Sequence, residues 1–341
     1  MRGIVFLGEK KLELRDFPDP TPGPHDVVLE IKASGMCGTD LHAYRRKHAG
    51  GAHFIAGHEP CGVVAEIGAH VAPHEAKIGD RVMVHHYDGC GTCRHCQSGW
   101  TQLCDDGSVA FGSGKGHGGH AKYMSVPSHT LLPLPDELSF ATGAAISCGT
   151  GTAFGALKRL GLEGDETIAV FGQGPVGLST TQFAAAMGAR VIAVEISPER
   201  RQLALDKGAD AVIDPAETDP VEAILDLTHG EGAHKAVETS GVKDVRAAAV
   251  RSTRTWGTTC LIASHGQIEL NVGPDLTHRN KAVLGHWTFS KNGQSDCARF
   301  VADRKIDIES VFTHRWKLEQ AEEAYQLLDR QTSGKGVFLP E

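Results

Sequence analysis

The pattern of apolar and polar positions divides the chain into two parts. Up to about residue 147, short apolar and β-branched runs alternate with turns rich in proline and glycine, which is typical of β structure. These runs predict strands at 1–7, 26–32, 62–67, 81–86 and 121–126. Helical signals are sparse before residue 136. We interpret this part as a small β-rich domain of barrel-like or sandwich form.

From residue 167 onwards, strand-like runs alternate with helical segments. The apolar runs predict strands at 167–171, 190–194, 211–213, 234–238, 259–263 and 282–285. Helix signals stand between them, such as the N-cap pair Ser197-Pro198 and the stop at Gly208. Right-handed crossovers between successive strands would make the sheet parallel. The sequence therefore predicts an α/β domain with a doubly wound six-stranded parallel sheet.

The C-terminal segment does not continue this alternation. A helix-like stretch at 318–328 precedes a short final strand at 336–339. We expect this segment to return to the first domain and make that domain discontinuous. The predicted domains are residues 1–147 together with 290–341, and residues 148–289.

A glycine-rich turn, Gly172-Gln173-Gly174-Pro175-Val176-Gly177, links the first two strands of the second domain. Gly172 permits a tight turn, Gly174 lets the backbone approach a pyrophosphate, and Gly177 lets the helix pack closely on the strand. The N-terminus of the following helix directs unpaired N–H groups and a partial positive charge at that phosphate. With a strand before it and a helix after it, this turn predicts dinucleotide binding.

An acidic residue indicates which dinucleotide is bound. Glu195 stands 18 residues beyond Gly177, at the carboxyl end of the next predicted strand, where it can accept hydrogen bonds from the adenosine ribose. Its carboxylate would repel the 2′-phosphate of NADP, which favours NAD. Arg200 and Arg201 follow closely and leave this choice open.

Composition and charge exclude several classes of function. The chain has 341 residues, long for one core, and its 40% apolar and 22% charged residues are ordinary for a globular protein. A net charge of −8 argues against nucleic acid or an anionic membrane as the main partner. No apolar run approaches a membrane span and residues 1–7 show no secretion signal, so we expect a cytoplasmic protein.

Four of the nine cysteines lie within fifteen residues and indicate a metal site. Cys90, Cys93, Cys96 and Cys104 have the spacing C-x2-C-x2-C-x7-C, which lets four thiolates complete a tetrahedral Zn²⁺ shell. Such a closed shell indicates a structural ion in a reducing compartment. A redox C-x2-C pair and an iron–sulfur cluster are the alternatives to zinc here.

A second group of possible ligands is scattered along the chain. The run Cys37-Gly38-Thr39-Asp40-Leu41-His42 carries a thiol, a hydroxyl, a carboxyl group and an imidazole within six residues. His58 and Glu59 stand just before a predicted strand, and Cys148 stands where the β-rich part meets the α/β part. A single histidine or cysteine is usually a packed core residue, so spacing alone leaves open whether these residues share a metal ion.

These motifs, in this order, make the chain resemble the zinc-dependent medium-chain dehydrogenases of the alcohol, sorbitol and threonine dehydrogenase group. The resemblance extends over essentially the whole chain and is carried by residues 37–42, residues 57–60, the four-cysteine loop, and the glycine turn with Glu195. It implies a GroES-like catalytic domain joined to a Rossmann domain. It also implies two zinc ions per subunit, NAD as cofactor, and a homo-oligomer that is either a dimer or a tetramer.

The resemblance also implies roles for individual residues. Cys37, His58 and Cys148 would bind the catalytic zinc and leave its fourth position open. Glu59 would lie beside the metal as a transient ligand or an outer group, and Asp40 would accept the other ring N–H of His58. The remaining implied roles are a proton relay through Thr39 and His42, cofactor contacts from Pro175, Val176, Glu195 and Arg200, positions near the nicotinamide for Ile262 and Ser264, and a pyrophosphate contact for Lys335.

We therefore predict an oxidoreductase that transfers a hydride between NAD(H) and an alcohol/ketone or aldehyde pair. His85, His86, His117 and His120 fall on segments that resemble the family's substrate-pocket walls, unless they face solvent or bond the backbone. Polar walls would suit a secondary or polar, polyol-like alcohol. A second candidate activity is oxidation of a β-hydroxy amino acid, as in threonine dehydrogenases. A zinc-free quinone or enoyl reductase on the same scaffold is a third candidate, and a zinc-stabilised binding protein that senses dinucleotides is a fourth.

Overall fold

The computed structural model describes residues 1–47, 53–112 and 116–340. The strands are β1 (Arg2–Gly8), β2 (Lys11–Asp16), β3 (Asp26–Gly35), β4 (Glu59–Ile67), β5 (Arg81–Val84), β6 (Tyr87–Asp88), β7 (Val109–Ala110), β8 (Tyr123–Pro127), β9 (Leu131–Pro133), β10 (Thr167–Phe171), β11 (Arg190–Val194), β12 (Ala211–Ile213), β13 (Ala233–Glu238), β14 (Thr253–Leu261), β15 (Ala282–Gly285), β16 (Phe312–Trp316) and β17 (Lys335–Phe338). The α-helices are α1 (Asp40–Arg45), α2 (Arg94–Gln97), α3 (Phe140–Ile146), α4 (Gly149–Leu160), α5 (Pro175–Ala186), α6 (Pro198–Asp206), α7 (Pro220–Leu227), α8 (Lys243–Arg251), α9 (Lys291–Arg304) and α10 (Ala321–Arg330). Short 3-10 segments lie at Thr101–Leu103, Ser128–Thr130, Thr277–Arg279, Ile308–Val311 and Leu318–Gln320, and a π-helical turn lies at Val272–Leu276.

The chain divides into two compact units. The first comprises Met1–Gly151, Phe289–Gln331 and Lys335–Glu341, and the second comprises Thr152–Thr288 and Thr332–Gly334. These limits differ from the predicted domains, which were residues 1–147 with 290–341 and residues 148–289.

The differences concern a few residues at the junctions. Cys148 belongs to the first unit, as Cys37 does, and their sulfur atoms lie within 4.8 Å of each other. Phe289 belongs to the first unit as well. Ser333 and its two neighbours belong to the second unit, where the carbonyl oxygen of Ser333 accepts a hydrogen bond of 2.9 Å from Arg200.

A largely antiparallel sheet built around β3 forms the first unit. The strand order is β16-β17-β3-β4-β5-β9, and β8 also pairs with β3. Only β16 and β17 pair in parallel within this sheet. Strand β3 is central because it is apolar and mostly buried, with Val27, Leu29 and Ile31 in the core. Its register places Gly35 opposite Glu59, so the end of β3 and the start of β4 are neighbours.

A second apolar cluster of the first unit joins the N-terminal segment to the C-terminal helix. It includes Phe6, Met36 and Tyr44 together with Tyr325 of α10 and Phe338 of β17. Burial of each such large side chain contributes roughly 1.5–3 kcal/mol to folding. The cluster therefore holds α10 against the segment that leads from β3 into α1.

Six parallel strands form the second unit, in the order β12-β11-β10-β13-β14-β15. This confirms the predicted α/β fold with a doubly wound parallel sheet. The strands are near-continuously apolar and buried, as in other parallel sheets. The direction of strand addition reverses between β10 and β13, and such sheets bind ligands at the carboxyl ends of the strands at this point. The glycine turn directly follows β10 there.

Helix α3 was not predicted, although it leads the chain to Cys148. Its N-cap Ser139 accepts a hydrogen bond of 3.1 Å from the backbone N–H of Thr142. A Cβ atom at Gly143 would stand 2.4 Å from the sulfur of Cys61 on β4, so only glycine lets α3 approach the sheet this closely. Within the described residues, no helix combines the length and the apolar character that crossing a bilayer requires.

Candidate metal centres and dinucleotide site

Four potential metal ligands meet at one edge of the first unit's sheet. Cys37 follows β3, His58 and Glu59 stand at the start of β4, and Cys148 lies between α3 and α4. Because β3 and β4 pair with Gly35 opposite Glu59, the sheet itself brings the first three together. Each residue offers one ligand atom, and the four atoms lie within 4.8 Å of one another in the interior.

The chemistry of this group fits a zinc ion. Zn²⁺ binds thiolate sulfur at about 2.3 Å and imidazole nitrogen at about 2.0–2.1 Å, usually in tetrahedral geometry. Ligand atoms around such an ion lie roughly 3.3–3.8 Å apart, and those of the group fall within 4.8 Å of one another. Two thiols and an imidazole are also donors that zinc prefers. The structure thus brings together Cys37, His58 and Cys148, with Glu59 beside them.

The buried thiols and imidazole perturb one another's ionisation. A hydrogen bond with Cys148 and the nearby charge of His58 hold the pKa of Cys37 well below its usual value, although burial opposes them. The same contact, together with burial, raises the pKa of Cys148. Burial lowers the pKa of His58, but the negative charges of Asp40 and Cys37 outweigh it and raise that pKa. A site that favours the Cys37 thiolate is suited to a cation.

Asp40, the first residue of α1, contacts two of these residues. Its Oδ1 lies 3.1 Å from Nδ1 of His58, and its Oδ2 accepts a hydrogen bond of 2.9 Å from the backbone N–H of Cys37. Burial raises the pKa of Asp40, but the charge of His58 and its hydrogen bond outweigh burial and lower that pKa to about 2. The carboxylate therefore accepts the Nδ1 proton of His58 and leaves Nε2 as the nitrogen available to a metal.

Lys335 does not lie where we expected it. The resemblance implied a pyrophosphate contact, but the ammonium group is buried in the first unit, 2.5 Å from Oε2 of Glu59. It also donates a hydrogen bond of 2.9 Å to the carbonyl oxygen of Met36. Burial raises the pKa of Glu59 to about 7, although the charge of Lys335 opposes this. Glu59 is thus held beside the metal group as the partner of Lys335.

Thr39 and His42 lie at the exposed side of α1. Thr39 precedes the helix, and its side chain makes no capping hydrogen bond. His42 lies one turn further along, and its backbone N–H bonds to the carbonyl oxygen of Thr39 at 3.1 Å. Residues three apart share a helix face. A hydroxyl and an imidazole therefore lie together on the segment that carries Cys37.

The four-cysteine loop forms a second ligand cluster, because Cys90, Cys93, Cys96 and Cys104 also place their sulfur atoms within 4.8 Å of one another. Backbone N–H groups point at these sulfurs, as they do at thiolates: Cys90 to Cys104 at 3.3 Å and Cys93 to Cys90 at 3.3 Å. The hydrogen bond from the N–H of Cys96 is the main cause that lowers the pKa of Cys93 to about 6. The donor set fits a closed, structural zinc site.

The glycine turn has the geometry of a phosphate-binding loop. Gly172 has a φ of +85°, which favours glycine. A Cβ at Gly177 would stand 1.8 Å from the carbonyl oxygen of Gly172, so the helix and the turn could not pack with any larger residue. Gly174 is the N-cap of α5, Pro175 and Val176 form its first turn, and no side chain caps it. The N-terminal N–H groups of α5 are therefore available to an anion.

Glu195 and Arg200 lie close to this turn. Glu195 accepts hydrogen bonds from the backbone N–H of Gln173 at 2.6 Å and from that of Ser197 at 3.0 Å. Each oxygen of the carboxylate retains a further lone pair for a ribose hydroxyl. The guanidinium of Arg200 lies near Gly174, 3.9 Å from where its Cβ would be, and burial lowers the pKa of this arginine.

A buried ion pair holds the loop that follows β14 and carries Ile262 and Ser264. Arg246 lies 3.4 Å from Oε2 of Glu238 and donates a hydrogen bond of 2.8 Å to the carbonyl oxygen of Ala263. Ile262 is half-buried and bonds the carbonyl oxygen of Glu238 at 3.0 Å, whereas Ser264 is exposed. Sequence reasoning missed Glu238 and Arg246, because an acid and an arginine eight residues apart have no distinctive signal.

Of the four histidines assigned to pocket walls, His86 lies beside the metal group, and His85 lies next to His86. The rings of His86 and His58 have their centroids 5.4 Å apart, and Nδ1 of His86 lies 2.8 Å from the carbonyl oxygen of Ser147. Nδ1 of His85 lies 3.1 Å from Oε1 of Gln294. Both rings are buried, at 1% exposed for His85 and 2% for His86.

The other two histidines correct the expectation, because they bond the interior of the first unit. His117 accepts a hydrogen bond of 3.1 Å from the backbone N–H of Ile55. His120 is fully buried and bonds Ser34 and Tyr325, each at 2.7 Å. Because both rings bond groups of the protein, neither is assigned to the wall of a substrate pocket. The glycine-rich sequence around these histidines gave no signal of their partners, which lie far away in the chain.

Comparison with known proteins agrees with this architecture. Residues 23–136 match the alcohol dehydrogenase GroES-like domain, and residues 175–303 match the family described as zinc-binding dehydrogenase. The uncharacterized zinc-type alcohol dehydrogenase-like protein YphC of Escherichia coli K12 is 37% identical, over 99% of this chain and 98% of its own. Sorbitol dehydrogenase of Bacillus subtilis is 30% identical, over 96% and 93%. Among solved structures, alcohol dehydrogenase TADH of Thermus sp. ATN1 has a TM-score of 0.92 at 25% identity and covers both chains fully.

The fold, with its two ligand clusters and glycine turn, is that of a zinc-dependent medium-chain dehydrogenase. The chain belongs to the zinc-binding alcohol dehydrogenase family. It is an oxidoreductase that acts on a small-molecule alcohol with zinc and NAD, as predicted. This activity replaces the hypothesis of a binding protein that only senses dinucleotides.

Proposed function

We propose that Cys37, His58 and Cys148 hold the catalytic zinc of an NAD-dependent dehydrogenase whose substrate is a secondary or polyol-like alcohol with a second hydroxyl group. The observation that carries the substrate proposal is the position of His86 against His58, with ring centroids 5.4 Å apart. Zinc bound here supplies a Lewis acid that polarises the alcohol oxygen, and bound NAD supplies the hydride acceptor.

The residues of the chain prepare this site. Asp40 fixes the ring of His58 with its proton on Nδ1. Lys335 neutralises Glu59, so one negative charge fewer remains next to the ligands. The hydroxyl oxygen of Thr39 is not engaged as a helix cap. It would accept the proton that the substrate hydroxyl releases and at the same time donate its own proton to a ribose hydroxyl of the bound cofactor. That hydroxyl would pass its proton to His42, which would release a proton to solvent.

The dinucleotide site supports NAD as the cofactor. The pyrophosphate would contact the N-terminus of α5 at Gly174, Pro175 and Val176. Glu195 would accept hydrogen bonds from the adenosine ribose, because backbone N–H groups already hold its carboxylate in place. The same negative charge would repel a 2′-phosphate. Ile262 and Ser264 would stand near the nicotinamide.

The ring of His86 presents a hydrogen-bond acceptor. A carbonyl oxygen can only accept, so Nδ1 of His86 carries the proton that it donates to Ser147 at 2.8 Å. In a neutral ring, Nε2 is then an acceptor, and within the described part of the chain it has no hydrogen-bond partner. Nε2 could accept a hydrogen bond from a second hydroxyl group next to the reacting one. A simple alcohol has no such group, and an apolar side chain would bind its hydrocarbon part better.

A substrate screen with a matched variant tests this proposal. Wild type should oxidise butane-2,3-diol with a kcat/KM at least tenfold above that for butan-2-ol, roughly the free energy of one hydrogen bond to a buried acceptor. His86→Phe should remove that preference, and His86→Gln, which keeps an acceptor, should restore part of it. A wild type that prefers butan-2-ol, or a preference unchanged in His86→Phe, would contradict the substrate assignment.

We further propose that the enzyme works as a cytoplasmic homo-oligomer. All nine cysteines are free thiols, which fits a reducing compartment. Strand β15 forms an edge of its sheet, and Val272 nearby in the chain is 63% exposed. An unpaired strand edge with exposed apolar side chains favours contact with a second copy. Sedimentation equilibrium should give a dimer or a tetramer, and a monomer at micromolar concentration would contradict this.

A further inference from the structure

A buried chain of hydrogen bonds lies behind the metal ligand His58. It runs from Ser34 Oγ to Nδ1 of His120 at 2.7 Å, and from Nε2 of His120 to the hydroxyl of Tyr325 at 2.7 Å. The hydroxyl of Tyr325 then donates to Oδ2 of Asp40 at 3.2 Å, and Oδ1 of Asp40 lies 3.1 Å from Nδ1 of His58. Ser34, His120 and Tyr325 are fully buried, and Asp40 is 4% exposed.

The direction of each hydrogen bond in this chain is fixed by chemistry. The carboxylate of Asp40 can only accept, so Tyr325 donates its one proton there. The oxygen of Tyr325 must therefore accept the proton on Nε2 of His120. Nδ1 of His120 is then unprotonated and accepts the hydroxyl proton of Ser34. Every donor in this series has one acceptor, and a buried series of this kind is stable only when it is complete.

The ring of His120 also supports the backbone next to His58. A Cβ at Gly57 would stand 2.4 Å from Nδ1 of His120, so the ring packs directly on the Gly57 backbone, which has a φ of +93°. The N–H of Gly119 bonds to the carbonyl oxygen of Gly57 at 2.8 Å, and that of His120 to the carbonyl oxygen of Ala56 at 2.9 Å. His120 therefore has two contacts that bear on His58. Its ring packs on the backbone just before His58, and it is also part of the hydrogen-bond series that ends at Asp40.

We propose that Tyr325 and His120 are positioning residues for the catalytic metal, which act by holding Asp40 in the orientation that fixes the ring of His58. The inference rests on the proposed ligand set of Cys37, His58 and Cys148. Oδ2 of Asp40 accepts hydrogen bonds from the hydroxyl of Tyr325 and from the backbone N–H of Cys37. Since Oδ1 contacts His58, this one carboxylate connects two metal ligands, Cys37 and His58, to helix α10. Tyr325 lies 285 residues after Asp40, which makes metal binding depend on docking of the C-terminal helix.

The experiment compares Tyr325→Phe with Tyr44→Phe in the zinc-loaded enzyme. Tyr44 is a matched control: it is buried in the same apolar cluster, its ring centroid lies 5.6 Å from that of Tyr325, and its hydroxyl has no hydrogen bond within the described residues. Each protein is titrated with a chromophoric zinc chelator, without alcohol or NAD. Alkylation of thiols, mapped by mass spectrometry, identifies which site has released its ion.

Loss of the direct hydrogen-bond partner of a metal-binding histidine typically weakens metal binding about tenfold to a hundredfold. Tyr325 bonds that partner, Asp40, rather than His58 itself. We therefore expect Tyr325→Phe to weaken zinc binding at Cys37 and Cys148 by the lower of these figures, about tenfold, with the four-cysteine loop unchanged. Tyr44→Phe should stay within twofold of wild type. Equal affinity in the two variants, or equal loss from both zinc sites, would overturn the proposal.

A second variant covers the case in which Tyr325→Phe does not fold. Ser34→Ala keeps both rings but removes the proton that fixes the tautomer of His120, so Tyr325 can then donate to His120 instead of Asp40. It should weaken the same site by about threefold, and unchanged affinity would overturn the proposal. If wild type holds no zinc at Cys37 and Cys148, the ligand assignment itself fails. If wild type binds zinc at Cys37 and Cys148 and the variants bind it there with the same affinity, only the positioning role fails.

Discussion

The ammonium group of Lys335 and the carboxylate of Glu59 lie 2.5 Å apart in the interior of the first unit, with side chains 1% and 0% exposed. Strand β17 supplies the cation and β4 supplies the anion, and both strands pair with β3. A second bond from Lys335 to the carbonyl oxygen of Met36 reaches the residue before Cys37. The pair therefore ties the C-terminal strand to the segment that carries a metal ligand.

Removing one partner of this pair should destabilise the protein strongly. Lys335→Met leaves the Glu59 carboxyl buried without its cation, which typically costs about 3–5 kcal/mol while the carboxylate stays charged. Urea unfolding at pH 8.5, above the pKa of about 7 that Glu59 has beside Lys335, measures this loss. The double variant Lys335→Met with Glu59→Gln should be more stable than Lys335→Met alone, since no unpaired charge remains. Strictly additive effects of the two substitutions would contradict the pairing.

Gly35 should be intolerant of any side chain, because a Cβ there would stand 2.0 Å from Oε2 of Glu59. Gly35→Ala must displace the carboxylate from Lys335, and overpacking of this kind costs about 1–3 kcal/mol. Gly38→Ala is the control, since a Cβ at Gly38 meets nothing within 4 Å. Thermal unfolding of both variants tests the prediction. A midpoint for Gly35→Ala equal to that of Gly38→Ala would show that Glu59 is not confined there.

Glu195 should determine the choice of dinucleotide. Glu195→Gln keeps the size and one acceptor oxygen but removes the charge that repels a 2′-phosphate, so the ratio of kcat/KM for NAD over NADP should fall about tenfold. Glu199→Gln, an exposed acid on α6, should leave the ratio within twofold. An unchanged ratio in Glu195→Gln would mean that other groups select the cofactor.

The buried imidazole of His286 should make the protein less stable at acid pH. It is 5% exposed, and burial lowers its pKa to about 4. A histidine in an unfolded chain titrates near 6.5, so the unfolded state takes up the proton first. Stability therefore declines as the pH falls from about 6.5 towards 4.

Replacing this histidine should flatten the pH dependence. The loss between pH 7 and pH 5 should be about 1–2 kcal/mol smaller in His286→Phe than in wild type, measured as free energies of urea unfolding. His278 is an exposed histidine of the same unit, and His278→Gln should lose as much free energy of unfolding between pH 7 and pH 5 as wild type does. A wild-type slope in His286→Phe would show that the ring is not buried in its neutral form.

The sequence was sufficient for features that local patterns encode. The six parallel strands follow from short apolar runs that end near turn residues, and β15 was predicted with its observed limits, Ala282–Gly285. The four-cysteine loop follows from ligand spacing, because its residues are close in the chain. The glycine turn follows from the same kind of local spacing, with Gly177 packed against Gly172.

Features that depend on distant partners could not be predicted in this way. Tyr325 and Asp40 are 285 residues apart, and neither shows locally that it bonds the other. The family resemblance implied a pyrophosphate contact for Lys335, yet the pairing of β17 with β3 directs it to Glu59. The resemblance also placed His120 on a segment of the pocket wall. Its partners, Ser34 and Tyr325, lie far from it in the chain, and no local pattern reveals these contacts.

Each chain should bind two zinc ions, one of them through Cys37, His58 and Cys148. Elemental analysis of zinc content per chain, in wild type and in Cys148→Ser, is the decisive measurement. We expect two zinc ions in wild type and a fall towards one in Cys148→Ser, with the four-cysteine loop still occupied. A single zinc ion in wild type, unchanged by Cys148→Ser, would rule out the ligand set of Cys37, His58 and Cys148.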